Sequence, residues 1–311
     1  MRGFRLADLA AGLALLAGLA SPGWAAAVRP QAEAVLIADT VWSGEILVTG
    51  VVVVAKGATL RLLPGTRVQF QPQDRNHDGI GDGEIRVLGR ILAEGTPEAP
   101  VVFQSAAAAP AARDWSYVLL FAASGESLFR FCRFHHAFSG LQVHFATARV
   151  ADCLFAGNQE GLRFGRAYLL VEHSDFVDND LGIRFTRMEG PVGLLNNRIS
   201  GNRIGIFLAP SGQNITDFFE PDRSGVPWNT GRLAIRGNLL AGNGWYNLSL
   251  GEKQMWDLEA AGNWWGSPEA GAIEATLFDG RRDPGLGRVL FQPALAAPPA
   301  AAGRRGPGGR P

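Results

Sequence analysis

The chain has 311 residues, 47% of them hydrophobic and 19% charged, enough to bury a sizeable core and unlike a disordered sequence. Its 29 basic and 29 acidic residues cancel to a formal charge of zero, which argues against nucleic-acid partners and against charge-driven membrane binding. Its 40 glycines are roughly twice the usual share, as expected of a fold that turns at short intervals.

Residues 1–27 carry Arg2 and Arg5, an apolar run from Leu9 to Ala20, and then Ser21, Pro22 and the small residues Ala25 to Ala27. That order reads as a secretory signal peptide, with a run too short to span a bilayer. The expectation is an exported protein, periplasmic or extracellular, with no membrane span after cleavage.

From Val35 to Ser105 apolar and polar residues alternate between turn signals at Gly50, Gly57, Pro64-Gly65, Gly89 and Gly95. These are strands, with a short cap around Trp42 ahead of them. Between them, Asp74, Asn76 and Asp78 occupy alternate positions, Gly79 supplies a sharp turn and Asp82 follows. Short oxygen-bearing side chains at this spacing suit one hard cation, so residues 74–82 are read as a calcium loop of stabilising role. The pattern departs from an EF-hand, whose last bidentate Glu should fall at Ile85.

One phrase then recurs around Gly140, Gly161, Gly182 and Gly205, spaced 21, 21 and 23 residues apart. A period in the twenties with internal alternation marks a strand-based solenoid, in which no single coil can bury its apolar face alone. Counted from the glycines, Phe134, Phe155, Phe176 and Ile199 form one column and Phe129, Val150, Val171 and Leu194 another. Leu141, Leu162, Ile183 and Ile206 form a third, with Val143, Phe164, Phe185 and Leu208 beyond it. Cys132, Cys153, Ser174 and Asn197 make a polar column, and Asn158, Asn179 and Asn202 a second one suited to bonding the backbone of neighbouring turns. Both cysteines point inward at one register of adjacent coils, a separation compatible with a disulfide; stacked strand neighbours seldom present good bridge geometry, so buried thiols are the favoured of the two readings.

The repeat returns near Asn238 and Asn243, which leaves residues 210–230 as an insertion. Asn263 lies under Asn238 and Trp265 under Leu240, so Trp264 and Trp265 are expected in a terminal cap that residues 273–295 complete. Residues 294–311, rich in Pro, Ala, Gly and Arg, read as a disordered tail. No CxxC, phosphate-cradling loop or GxSxG occurs, and adjacent His135 and His136 should face opposite ways on a strand.

The runs GATLRLLPGTRVQF, GRILAEGTPEAPVVFQS, NNRISGNRIGIFL, GNWWGS and FDGRRDPGLGRVLFQP together resemble bacterial exported right-handed parallel β-helix proteins. Their repeats are shared with pectate lyases, with carbohydrate-binding and sugar-hydrolysing domains and with a periplasmic maturation factor of nitrous oxide reductase. The resemblance spans about Val35 to Pro293. It implies an all-β, single-stranded right-handed parallel β-helix over residues 28–293 with terminal caps, and its matched residues build coils rather than sites. Polysaccharide-cleaving members use arginines and carboxylates on one outer sheet, often with calcium. Outward Arg163 and Arg184, with Asp178 and Asp180 in the turn nearby, are the corresponding catalytic candidates here. Trp228, Trp245 and Tyr246 are the candidates for stacking on sugar rings. The expected partner is a polysaccharide or another exported protein. The first reading is a carbohydrate-binding β-helix, with a lyase or hydrolase of acidic polymers and a non-enzymatic scaffold or maturation factor as alternatives.

Overall fold

The computed structural model describes residues 29–31, 34–187, 190–208, 233–251 and 254–306. The signal-peptide segment, the 210–230 insertion and Trp228 lie outside them. Short alternating segments separated by Gly, Asn and Asp leave each strand with one apolar side and each bend after a few residues. The chain therefore winds. Ser127–Arg130, Cys132–His135 and Ala137–His144 make one coil, and Thr147–Ala151, Leu154–Ala156 and Glu160–Gly165 make the next. Like sides stack into three parallel sheets of eight, nine and ten strands. This is a right-handed parallel β-helix, nearly without α-structure.

The expected columns are the observed register. Phe134, Phe155, Phe176 and Ile199 are successive partners, as are Phe129, Val150, Val171 and Leu194. All eight are buried. Rings of Phe134, Phe155 and Phe176 stack with centroids 4.6 and 4.7 Å apart, the coil spacing itself. Each such ring contributes roughly 1.5–3 kcal/mol by burial.

The repeated glycines answer to close approach rather than to unusual torsions. A Cβ on Gly161 would lie 2.5 Å from the carbonyl oxygen of Gly182, and one on Gly182 would lie 2.6 Å from that of Gly205. Strand pairing skips this position, matching Ser139 with Glu160 and Leu141 with Leu162. The residue before the glycine and the second residue after it therefore share the outer face.

Two polar ladders line the bends on either side of the nine-stranded sheet. The Ala137, Asn158, Asn179 and Asn202 amides donate in turn to the side-chain oxygens of Asn158, Asn179, Asn202 and Asn243, at 2.9–3.1 Å. In the other ladder Cys153 N donates to Ser174 Oγ, Ser174 N to Asn197, Asn197 N to Asn238 and Asn238 N to Asn263. Cys132 and Cys153 are free, buried members of that column, and the Cys132 amide points at Cys153 Sγ, 3.4 Å away.

The ends differ from expectation in detail. Trp42 belongs to strand Thr40–Trp42 of the stack, paired to Thr59–Leu62, rather than to a separate cap. At the other end Trp265 is buried against Phe291 as expected, but a short helix, Ala270–Ala275, precedes the last strands and buries Ile273. Those strands, Leu277–Phe278 and Val289–Leu290, pair with earlier strands and not with each other. Residues 294–306 do not hang loose: the chain turns back along the stack, and the composition had concealed this because the partners are distant acids rather than apolar neighbours.

Candidate functional site

The outer face of the ten-stranded sheet holds polar side chains that are nevertheless buried. Arg163 and Arg184 are strand partners, the stacked like charges the alternation predicts. Stacked guanidiniums repel unless an anion joins them, and here the chain supplies it. Glu160, 1% exposed, accepts Nε and Nη2 of Arg163 at 2.7 and 2.6 Å and Nη1 of Arg184 at 2.9 Å. The glycine skip makes this possible by turning residues i and i+3 to one side. Two guanidiniums against one carboxylate leave one excess positive charge. Arg163 also lies over the Phe138 ring at 5.4 Å.

Donors around this clamp are incompletely used. Among the described residues, buried Ser139 Oγ, Gln142 Nε2 and Arg184 Nε have no hydrogen-bond partner. Such atoms cost about 1–3 kcal/mol each when left dry, so they mark where an acceptor belongs. The face continues toward the N-terminal coils through Tyr117, whose strand neighbours are Glu84 and Ser139, and through the ion pair of Glu84 and Arg86 at 2.8 Å. Burial first, and the Glu84 charge second, raise the Tyr117 hydroxyl above its usual pKa, against the charges of Arg86 and Arg163. At the far end of the Ser139 strand, Ala137–His144, burial and the Arg163 charge push His144 down to about 4, against a bond to the Gly165 backbone.

Asp178 and Asp180 are not part of this cluster. They sit in the bend before the ten-stranded sheet and line a shallow groove with Arg113, Asn158 and Gln159. Asp180 is bound to Arg203, whose guanidinium lies 4.2 Å above the ring of Trp245. Trp245 is 62% exposed. Tyr246 belongs to the same outer column as Glu160, reached through Leu181 and Ile204, about 14 Å along the stack at ~4.8 Å per coil. Phe278 and the Arg282 guanidinium pack on its ring, at 5.4 and 5.6 Å.

In the loop of residues 74–82, Asp74 Oδ1 and Asn76 Oδ1 both accept the Asp78 amide at 3.1 Å, and Asp78 Oδ1 accepts the Ile80 amide at 2.8 Å. Asp82 turns to the Arg75 amide, 2.9 Å away. Among the described residues no three His, Cys, Asp or Glu side chains converge as a metal-binding group. The oxygens of Asp74, Asn76 and Asp78 are of the hard type calcium prefers, and Asp74 and Asn76 already point at one atom. The histidines do not converge either: His135 Nδ1 meets the Ala156 carbonyl at 3.1 Å, and burial lowers the pKa of both His135 and His136.

Glu160, Ser139 and Tyr117 are not among the candidates from sequence, which on this face took the second position after each glycine, and His144 figures there only as a histidine without ligand spacing. The signal for Glu160 was present: an acid immediately before an anchor glycine and three residues before an arginine. Comparison with protein-family models, with curated proteins and with solved structures found no match to this chain.

Proposed function

We propose that this chain is an exported polysaccharide-binding β-helix whose binding face runs along the outer side of the ten-stranded sheet, from Tyr117 past Arg184 toward Trp245. The observation that carries this reading is the Glu160 clamp, with its excess positive charge and the unpartnered donors of Ser139, Gln142 and Arg184. A row of donors at coil spacing, with an open indole about three coils away, suits an acidic sugar polymer lying along the stack. Catalysis is the second reading. It is less favoured because Glu160 is engaged by two guanidiniums and the carboxylates of Asp178 and Asp180 lie apart from them.

On a glycan array the mature protein should retain acidic polysaccharides, and Arg184→Ala and Trp245→Ala should each weaken retention at least tenfold. Retention of no glycan would sink the reading and favour a scaffold role. Release of unsaturated or hydrolysed products from a retained polymer would move it to the enzymatic alternative.

Calcium at Asp74, Asn76, Asp78 and Asp82 belongs to the same proposal as a brace for the coil edge, displacing the loop's own amides from the side-chain oxygens. Calorimetric titration of calcium should give binding heat that Asp78→Ala abolishes; a wild-type protein without heat removes calcium from the account.

A further inference from the structure

The C-terminal segment returns over the edge where the eight-stranded and nine-stranded sheets meet, remote from the face described above. Leu295 N donates to Asn263 O at 2.9 Å, and Gly303 N to Asn196 O at 2.9 Å, so the segment runs from the last coil toward earlier ones. His173 Nδ1 meets Ala301 O at 3.0 Å on the way. Then two consecutive arginines meet two acids on consecutive coils. Arg304 gives Asp175 its backbone N–H at 3.3 Å and its Nε at 2.9 Å. Arg305 gives Asp152 its backbone N–H at 3.2 Å, its Nε at 2.8 Å and its Nη2 at 2.5 Å.

These acids are built to receive such a segment. Their side chains are 5% and 0% exposed beneath it. Among the described residues, every hydrogen bond to the Asp152 carboxylate comes from Arg305, while Asp175 is held from the other side by Arg198. Asp152 takes the positive φ, +56°, of the bend column it shares with Phe131, His173 and Asn196, and at that bend its carboxylate meets the strap. Gly303 is selected as well: at φ +91° its Cβ would stand 2.6 Å from Asp175 Oδ1. Each acid reads both the backbone and the guanidinium of one arginine. A generic basic tail would need only the charge.

We propose that this edge is a recognition site for a Gly-Arg-Arg segment, filled in cis by residues 303–305 of the chain's own C terminus, and that it takes the same segment in trans when the cis arginines are lost. The ligand class is a glycine-preceded diarginine peptide, and the read-out is fork-shaped: lysine, a point donor, cannot reproduce the Nε and Nη2 pair that Asp152 accepts. The proposal does not depend on polysaccharide binding.

The test uses the full-length double variant Arg304→Ala/Arg305→Ala and a fluorescent peptide copying residues 300–311. Fluorescence anisotropy should show the peptide binding the double variant at least tenfold more tightly than the wild type, whose site is filled. The peptide with the arginines corresponding to Arg304 and Arg305 changed to lysine should bind at least tenfold more weakly, and adding Asp152→Asn to the double variant should abolish binding. Equal binding to variant and wild type, or equal binding of the lysine peptide, overturns the proposal. If circular dichroism finds the double variant unfolded, hydrogen exchange of the wild type decides: the amides of Gly303, Arg304 and Arg305 should be protected, and exchange at free-chain rates overturns the proposal.

Discussion

Asn179→Ala is expected to lower the unfolding free energy by about 3–5 kcal/mol, read as a shift of the urea midpoint followed by far-UV circular dichroism. Asn179 is the middle rung of the longer described run of asparagines flanking the ten-stranded sheet. Its Oδ1 accepts the Asn158 amide at 3.0 Å and Asn158 Nδ2 at 2.9 Å; its Nδ2 donates to the carbonyls of Phe155 and Val177 and to Asn202 Oδ1. Truncation strips partners from five groups on three coils at once, at a site 4% exposed that water does not readily reach. A single neutral hydrogen bond nets only about 1 kcal/mol, but buried groups left unpaired cost more, and the ladder concentrates them. Asn179→Asp should be comparably damaging, because a carboxylate cannot donate to Phe155 O and brings a charge into the wall. Arg149→Ala, which removes an exposed pair with Glu126, is the control and should leave the midpoint where it is. An unshifted midpoint for Asn179→Ala would show that the ladder is ornamental and that the aromatic stack alone holds the coils.

The same ladder explains what the amino-acid order reveals and what it conceals. A solenoid repeats because each coil must satisfy the next, so Phe134 over Phe155 over Phe176 is written as a period, and so are the asparagines. Register, burial and the shared column of the two cysteines follow from counting; that their thiols are free does not. The outer face follows less completely. The skip at Gly161 turns Glu160 to the same side as Arg163, and strict alternation assigns such a residue to the wrong side. Helix Ala270–Ala275 carries a single buried residue, Ile273, too weak a pattern to read as a helix against the strands on either side. The strap is concealed for a different reason. Arg304 and Arg305 are separated by 129 and 153 residues from Asp175 and Asp152, and no local pattern reports a contact that distant. Composition measured what the tail lacks, an apolar face, and missed that two buried acids replace it.

Stability is expected to fall by roughly 3 kcal/mol as pH drops from 6.5 to 4, and most of that slope is assigned to His144. The ring ends strand Ala137–His144, 5% exposed, between Phe121 on one side and Gly165 on the other. Burial penalises its charged form first and the Arg163 guanidinium second, and the bond to the Gly165 backbone only partly offsets them, which brings the pKa to about 4 from the ordinary 6.5. Between those values the unfolded chain takes up a proton that the folded chain refuses. Unfolding therefore gains from every drop in pH across the window, whereas above 6.5 the contribution is complete and constant. His135 and His136, also lowered by burial, add to the slope with the same sign. Asp175 does not contribute within this window. Its burial is outweighed by the bonds from Arg198 and Arg304, so its pKa lies below the ordinary carboxylate value and its stabilisation is lost only at lower pH. Urea midpoints at several pH values from 7 to 4 should accordingly show a slope that His144→Gln flattens while leaving the plateau above 6.5 little changed. A variant with the wild-type slope would exonerate His144 and place the titration at His135 and His136. Because part of the depression of His144, after burial, comes from the charge on Arg163, the Arg163→Gln variant should raise its pKa toward the ordinary value and remove part of the slope, which ties the pH response to the same face that carries the Glu160 clamp.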